Sequence, residues 1–420
     1  MNLNRVAGLV ASLICLVQGE ALALSLDEAQ SRAARAPEVL SGLAEEAAAE
    51  EWSKAAGQLP DPRLVLSVDD YMLEGDERYR VSGSKRMIGL MQEFPAASKR
   101  EAERQTANAA REGSVRMREY AQLAAQREVS LLWLQLYFLT QKEALLNTNA
   151  EEINRRQAVT IAALSGGGGT DAALETLLDQ RGLDDSFDLL RRDLQLVRAR
   201  LTRWIGPLPS TEVATGTLPA WAQNAPETRI GMAADAETAQ ASDPEIELRA
   251  SQVRIQMAQA ELQMAQADKD TDWSMEIGFG QDAMGNAMMM AKVGVSLPVF
   301  SGSRQNPRIA AARAQLAGIE AEHDLRKAEF TRQREELLAE EAAFSAMLRR
   351  LSEETLPLLS RGVALAEASF SGGKGSADML IKAREKRIAA QLRALDLEAA
   401  RAAVRARLYF LQQRGEIHHE

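Results

Sequence analysis

The sequence is poor in cysteine and in aromatic residues, and each shortage narrows the class of protein. The 420-residue chain has a single cysteine, Cys15, so no disulfide can join two of its own residues. Aromatic residues make up 5% of the chain while alanine is abundant, which favours closely packed helices over a globular β core. The formal net charge of −10 argues against a nucleic-acid partner and is compatible with handling cations.

Recognisable catalytic patterns are missing as well. His323 stands alone on a predicted charged helix, and His418 and His419 end the chain in a polar tail. No zinc-protease, nucleophile-elbow or dinucleotide-binding motif occurs in a usable context. We therefore expect no catalytic residue and no cofactor, and a secreted enzyme is the least favoured interpretation.

Residues 1–23 are predicted to be a secretory signal peptide. Arg5 precedes an apolar core at 6–17, and a small-x-small cleavage site follows at 21–23. Cys15 lies inside this segment after a bulky isoleucine, so a lipoprotein is not expected. The alternative is an amphipathic or buried first helix. Beyond this segment no apolar run reaches the roughly 18 residues of a membrane helix.

The sequence repeats itself. The run "IGLMQEFPAASKR" at 88–100 aligns with "VGVSLPVFSGSRQ" at 293–305, at an offset of 205. Three more pairs keep the same order at offsets of 206 or 207: "APEV" with "DPEI", "SVDD" with "SMEI", and "LSGGGGTDAALETLLDQR" with "FSGGKGSADMLIKAREKR". Four anchors in register predict two copies of a unit of about 200 residues. We place them at 24–205 and 243–414, with an irregular connector at 206–242 and a polar tail at 415–420.

Each copy is expected to hold a helix, a β-hairpin and a long helical hairpin. The first helices are predicted at about 26–57 and 244–267, and the β-hairpins at about 63–94 and 273–299. Beyond its first turn, the long helix at 304–370 contains no strong breaker except Pro357 and a few glycines.

Glycine-rich turns are predicted to form the tips of the helical hairpins, at about 165–171 and 371–378. Glycine supplies the positive φ angles that reverse two helices sharply. A phosphate-binding loop is the alternative for "GGKGS", but the motif spacing and a preceding strand are both missing. The tip residues are Gly166, Gly167, Gly168, Gly169, Gly372, Gly373, Lys374 and Gly375.

The predicted strands have two different faces. Apolar side chains such as Trp273 and Ile277 alternate with polar or small ones, and the strand lengths suit a tilted strand that crosses a bilayer. The alternative is a pair of ordinary half-buried hairpins. Four strands cannot close a membrane barrel, because open edges in lipid leave backbone groups unsatisfied, so several chains must pool their strands. The polar-face residues expected to face a barrel lumen are Ser274, Glu276, Lys292 and Ser296.

Methionine is the one residue type in the predicted strands whose side chain suggests a specific chemistry. Met288 and Met290 fall on the face assigned as polar, and thioethers are soft ligands that suit monovalent copper or silver. Flexible space filling is the alternative that we favour at this point.

The strand-to-helix joints and the tips together resemble the TolC-like outer-membrane efflux family. The matching segments are "QEFPAASKR", "LPVFSGSRQ", "GGGGTDAALETLLDQR" and "GGKGSADMLIKAREKR", and the resemblance covers essentially the whole mature chain. "GQLPDPRLVLSVDD" and "QEFPAASKR" look most like the heavy-metal branch, which works with resistance-nodulation-division pumps. Many members of that branch have Pro-Gly where this chain has Ala96 and Ala97.

The resemblance implies a mainly α fold with a β-barrel portion. Family members are homotrimers in which each chain gives four strands to a twelve-stranded outer-membrane barrel, while the helices form a tube across the periplasm. A periplasmic adaptor grips the tips and an inner-membrane pump drives transport, so the chain would be a passive exit duct in contact with outer-membrane lipid. Heavy-metal cations are the expected substrate. A duct for organic compounds or a secreted polypeptide, and a periplasmic coiled-coil scaffold without a pore, are the alternatives.

The same resemblance points to two acidic residues at the tips. In the family, carboxylates ring the entrance near the inner tips, and the matching candidates are Asp378 and Asp171. Three symmetry-related carboxylates would attract cations. A simple helix N-cap is the alternative role for each aspartate.

Overall fold

The computed structural model describes residues 24–70, 84–165, 170–208, 214, 216–224 and 246–412, without the side chains of 162–173 and 247. The chain is mainly helical with one small sheet. Its elements in chain order are α1 (Leu26–Ala33), α2 (Pro37–Ala55), β1 (Arg63–Asp69), β2 (Lys85–Phe94), α3 (Ala97–Ser165), α4 (Thr170–Ile205), α5 (Ala220–Gln223), α6 (Ile246–Ala267), β3 (Trp273–Gln281), β4 (Ala287–Val295), α7 (Gln305–Arg350), a π-helical segment (Leu351–Thr355), α8 (Leu356–Ser371) and α9 (Ala377–Leu411).

The chain divides into two compact units. The helical unit draws its described residues from Met1–Leu40, Gln122–Gln240 and Arg332–Gln413. The sheet-containing unit draws them from Ser41–Ala121 and Ala241–Thr331. Each unit is therefore assembled from stretches that lie far apart in the sequence.

The core of the helical unit packs alanines and leucines around two aromatic rings, Trp133 and Phe138. Trp133 is 1% exposed, and its indole Nε1 donates a hydrogen bond to the carbonyl oxygen of Leu24 at 2.8 Å. Ala125 and Ala406 are fully buried against the same cluster. Alanine at these positions lets helices approach closely, in line with the composition.

The first helix of the chain differs from the prediction. A single helix was predicted over 26–57, whereas α1 ends at Ala33 and α2 begins at Pro37. Proline has no N–H to continue a helix, but it is well suited to the first helical position. Pro37 therefore starts a second helix rather than interrupting a longer one.

The long helix of the second half is also interrupted. Residues Leu351–Thr355 form a π-helical segment between α7 and α8, directly before Pro357. The proline ring clashes with the backbone carbonyl of the preceding helical turn, and the wider π-helical turn relieves that clash. The corresponding helix of the first half, α3, runs without interruption for 69 residues.

The predicted irregular connector contains a short helix, α5, that a buried arginine holds in place. The Arg405 guanidinium donates to the carbonyl oxygens of Ala222 at 3.1 Å and Gln223 at 2.5 Å. It also forms a salt bridge with Glu341 at 2.7 Å, and its side chain is only 4% exposed. This arginine ties α9 and α7 to the connector.

The sheet is antiparallel, with the strand order β1-β2-β3-β4. β2 pairs with β1 on one side and with β3 on the other, so the two hairpins share one sheet. Among the described strands, β1 and β4 each pair along one edge only. Within the described residues, no helix combines the length and apolarity that crossing a membrane requires.

Candidate functional site

The register places the apolar side chains of all four strands on one face of the sheet. Leu66 lies opposite Ile88, which lies opposite Phe279, which lies opposite Met289. These side chains stay exposed in the chain, at 72% for Leu66 and 60% for Phe279. The apolar face as a whole comprises Leu64, Leu66, Val68, Ile88, Leu90, Phe94, Trp273, Met275, Ile277, Phe279, Met289, Val293 and Val295. An exposed apolar surface of this extent is typical of a face that meets lipid or another protein.

The opposite face carries most of the predicted polar residues. Glu276 lies opposite Lys292, and Ser274 lies opposite Gly294. The Lys292 ammonium lies 3.9 Å from a Glu276 carboxylate oxygen. Met288 and Met290 are on the same face, on β4.

Ser296, also predicted to share this face, lies just beyond the end of β4. Its hydroxyl accepts a hydrogen bond from the backbone N–H of Asp272 at 2.9 Å. Its own N–H donates to the carbonyl oxygen of Asp272 at 2.9 Å. This residue therefore fastens the end of the β3–β4 hairpin.

The carboxylate of Asp272 makes two contacts at the joint between strand and helix. Asp272 accepts a hydrogen bond from the backbone N–H of Ala96 at 2.9 Å and another from Lys99 Nζ at 2.6 Å. Burial works to raise the pKa of Asp272, but the hydrogen bonds from Lys99 and Ala96 outweigh it and lower that pKa. The ionised carboxylate thus clamps the start of α3 to the start of β3.

The second helical tip has the predicted glycine turn. Gly373 adopts φ +71°, and the N–H groups of Lys374 and Gly375 both donate to the carbonyl oxygen of Ser369 at 2.9 Å. The turn closes α8 because Gly373 reaches the left-handed region without strain. Of the first tip, Gly166, Gly167, Gly168 and Gly169 lie outside the described residues, and so does the side chain of Asp171.

The N-cap role considered for Asp378 is wrong. Ser376 is the cap of α9, and its hydroxyl accepts from the Met379 N–H at 3.2 Å. Asp378 lies in the first turn of α9, and its carboxylate contacts Arg156 Nε at 3.3 Å and Lys382 Nζ at 3.4 Å. This aspartate is therefore part of an ionic cluster.

The centre of that cluster, Arg156, was missed by sequence reasoning. Its side chain is 2% exposed, and four carboxylates surround its guanidinium. Their closest distances are 2.9 Å for Glu175, 2.5 Å for Asp179, 3.3 Å for Asp378 and 3.5 Å for Glu385. The cluster therefore links α3, α4 and α9 below the tips.

Acidic charge exceeds basic charge in the Arg156 cluster. Lys382 adds a second cation, bound to Glu175 at 3.0 Å. Burial raises the pKa of Glu385, although Arg156 pulls in the opposite direction. Burial also works to lower the pKa of Arg156, but the surrounding carboxylates outweigh it and raise that pKa. The arginine therefore remains the fixed charge that holds these acids together.

A second ion network lies beside the first. Glu152 bridges Arg155 at 2.8 Å and Arg384 at 3.3 Å, and Arg384 also binds Glu367 at 2.7 Å. It joins α3 to α8 and α9. Charged side chains thus cross-link the two helical hairpins near their tips.

Comparison with solved structures identifies the fold. No protein-family model matches the sequence, and a search of curated proteins finds no match. The outer-membrane channel OprN has a TM-score of 0.74 at 12% identity, over 93% of this chain and 90% of that one. The open MtrE outer-membrane channel of Neisseria gonorrhoeae gives 0.70 at 14% identity, over 92% and 88%. CusC, described for its transmembrane channel formation, gives 0.66 at 15% identity, over 96% of both chains.

These likenesses define the class of the fold. The chain has the fold of outer-membrane channels rather than that of an enzyme. The match spans nearly the full length of the chain and of each channel, so the helices and the sheet both belong to the shared fold.

Proposed function

We propose that the chain is the outer-membrane channel of a tripartite efflux system, extending from the outer membrane into the periplasm. It conducts substrates passively and catalyses no reaction. The observation that carries this proposal is the two-faced sheet, with its exposed apolar face, on a fold shared with outer-membrane channels.

The open edges of the sheet support an assembly of several chains. An unpaired backbone edge is costly in hydrocarbon, so β1 and β4 must each meet a strand of another copy. With four strands per chain, a homotrimer would close a barrel of twelve strands, as the family resemblance implies. The apolar face would then contact lipid, and Ser274, Glu276 and Lys292 would face the lumen.

The helical tips provide the proposed contact with a periplasmic adaptor, which in turn connects to an inner-membrane pump. The exposed turn at Gly372, Gly373 and Lys374 offers backbone groups to such a partner. Asp378 and Asp171 are the proposed acidic residues of the pore entrance. Asp378 is half-exposed although it touches Arg156, so it retains access to passing cations.

We propose heavy-metal cations as the substrate class. The net negative charge, the branch-like segments "GQLPDPRLVLSVDD" and "QEFPAASKR", and the likeness in fold to CusC support this choice. Export of organic compounds or of a secreted polypeptide is the second candidate. A scaffold without a pore is disfavoured by the apolar face, since a scaffold needs no such surface.

The membrane-facing role can be tested with two neighbouring positions of β1. Leu66 and Ser67 point to opposite faces, and neither is buried in the chain. Arginine on a lipid-facing position costs about 2–4 kcal/mol near the bilayer centre. Leu66→Arg should therefore impair insertion into liposomes, whereas Ser67→Arg should insert like the parent. Equal insertion of both variants would contradict a lipid-facing role.

The conducting role is tested by single-channel conductance in planar bilayers. The mature chain, extracted in detergent, should give a cation-selective current, and Asp378→Asn should lower that selectivity. Failure of folded trimers to insert would overturn the channel and favour the scaffold. A current whose selectivity ignores Asp378→Asn would remove that aspartate from the entrance.

A further inference from the structure

The polar face of the sheet brings together methionines that are far apart in the sequence. Met87 on β2 lies opposite Gly280 on β3, which lies opposite Met288 on β4. In the adjoining row, Gly89 lies opposite Gly278, which lies opposite Met290. In both rows the residue on the middle strand, β3, is therefore a glycine, and the flanking strands β2 and β4 carry the methionines.

The two glycines of β3 make room for the Met87 side chain. A Cβ atom on Gly280 would lie 2.8 Å from Met87 Cγ and would collide with the Arg86 carbonyl oxygen. A Cβ atom on Gly278 would lie 3.4 Å from Met87 Cε. The Met87 thioether thus crosses over β3 and ends above Gly278, next in its row to Met290. Met87 is only 8% exposed.

A carboxylate converges on the same place. A Cβ atom on Gly89 would lie 3.4 Å from Glu276 Oε1, and Gly89 is the direct partner of Gly278. The Glu276 side chain is 12% exposed. Its other oxygen is the one that faces Lys292. One carboxylate oxygen therefore lies over the glycine pair beside the end of Met87.

We propose that Met87, Met288 and Met290 form a binding site for a soft monovalent cation, Cu(I) or Ag(I), with Glu276 supplying the negative charge. Thioether sulfur is a soft ligand that favours Cu(I)-type ions and discriminates against Mg²⁺ and Ca²⁺, which require oxygen. The sequence alone indicated only Met288 and Met290. The strand register adds Met87, whose side chain lies over Gly278 and Gly280, and the Glu276 carboxylate adjoins it, so the ligands come from three strands.

The site has a consequence for transport that rests on the proposed function. The methionines lie toward the 282–286 turn of the sheet, away from the end that joins the helices. In a conducting barrel, the site would therefore stand late on the exit path and would select soft metal ions as the substrate class.

The test uses the mature chain without the predicted signal residues 1–23, and so without Cys15, purified in detergent with Ag(I) alone as the probe. Ag(I) stays monovalent without a reductant, so binding can be measured by equilibrium dialysis. Met87→Leu/Met290→Leu should weaken Ag(I) binding by at least about tenfold, which equals about 1.4 kcal/mol. Leucine nearly keeps the volume of methionine and has no sulfur.

The matched control is Met275→Leu/Met289→Leu, which removes two thioethers from the opposite face of the same sheet. It should leave Ag(I) affinity unchanged. X-ray absorption should show silver–sulfur scattering that the control retains in full and that is reduced in the Met87→Leu/Met290→Leu variant, which keeps Met288. If the two double variants bind Ag(I) with the same affinity, whether unchanged or reduced, the proposed site is overturned.

Bilayer conductance of the same preparations separates this inference from the proposed function. A conducting parent whose Ag(I) binding ignores Met87→Leu/Met290→Leu leaves the channel standing and overturns the metal site. A parent that binds Ag(I) through these methionines but never conducts supports the site and overturns the channel.

Discussion

The two long helices that follow the β-hairpins differ in one respect. In the first half, α3 continues for 69 residues, whereas the second half reaches its tip through α7, a π-helical segment and α8. At the offset of 206 that aligns the tips, Pro357 corresponds to Glu151. Pro307 lies in the first turn of α7, so the interruption falls next to the one proline that the second helix contains beyond its first turn, where the first helix has an ordinary helix former.

The largest expected effect comes from giving the first half the proline of the second. Glu151→Pro removes a backbone hydrogen bond in the middle of α3 and should cost about 3 kcal/mol of unfolding free energy. Chemical denaturation of the detergent-solubilised chain would measure it. Glu151→Ala is the control, since Glu151 is exposed and its contact with Arg155 is 3.5 Å. Equal stability of the two variants would mean that α3 tolerates a break as α7–α8 does.

The Arg156 cluster offers the next largest effect. Arg156→Met leaves four carboxylates facing one another, and we expect a loss of about 2 kcal/mol because these carboxylates are partly exposed. The same substitution at Arg155, an exposed neighbour, should be nearly neutral. Hydrogen exchange of α4 and α9 near the tips would report the difference. Matching exchange rates in the two variants would contradict a central role for Arg156.

A smaller effect is expected at the second tip. Gly373→Ala forces alanine into φ +71° and should cost about 1 kcal/mol. Gly362→Ala, inside α8, meets open space and should stabilise the helix by roughly 0.5–1 kcal/mol. Thermal unfolding should therefore shift in opposite directions. Shifts of the same sign would show that the tip turn does not depend on the left-handed glycine.

The smallest expected effect is a pH dependence of tip stability, which we assign to Glu385 of the second half rather than to its counterpart in the first half. Burial raises the pKa of Glu385, so the folded tip holds this proton more tightly than the unfolded chain does. Its contribution to stability is therefore greatest below the unfolded pKa and falls as the pH rises through the folded pKa. Arg156, Asp179 and Asp378 are the charged groups around it.

The test of this pH dependence compares Glu385→Gln with Asp179→Asn. The aspartate occupies the matching position of the first half, 206 residues earlier. Glu385→Gln should flatten this part of the decline in tip stability as the pH rises above the ordinary glutamate pKa. Asp179→Asn should retain most of the decline, because burial, the largest cause of the raised pKa of Glu385, is unchanged. A parent protein whose tip stability does not fall as the pH rises would contradict the raised pKa of Glu385.

Patterns that repeat along the chain were predictable from the sequence. Alternation identified both faces of the strands, and glycine placed the second tip, because each depends on neighbours within a few residues. The break before Pro37 was readable in principle, since proline favours the first turn of a helix. It was missed because the alanine-rich pattern continues across it.

The Arg156 cluster could not be predicted in the same way. An arginine on a charge-rich helix has the appearance of a solvated residue until α4 and α9 pack against it. The available signal was indirect: Asp179 and Glu385 are acids at matched positions beyond the two tips. Likewise, only the registers of β2 with β3 and of β3 with β4 bring Met87 into the same rows as Met288 and Met290.

The open edges of the sheet put correct strand pairing in competition with aggregation after synthesis. A newly made chain presents two unpaired strand edges and an apolar surface together, the combination that promotes aggregation. In the proposed barrel, correct pairing would require encounters between copies, so its rate would depend on chain concentration while mispairing competes. The yield of such a barrel should depend more on delivery of the chain to the membrane than on the stability of the finished fold.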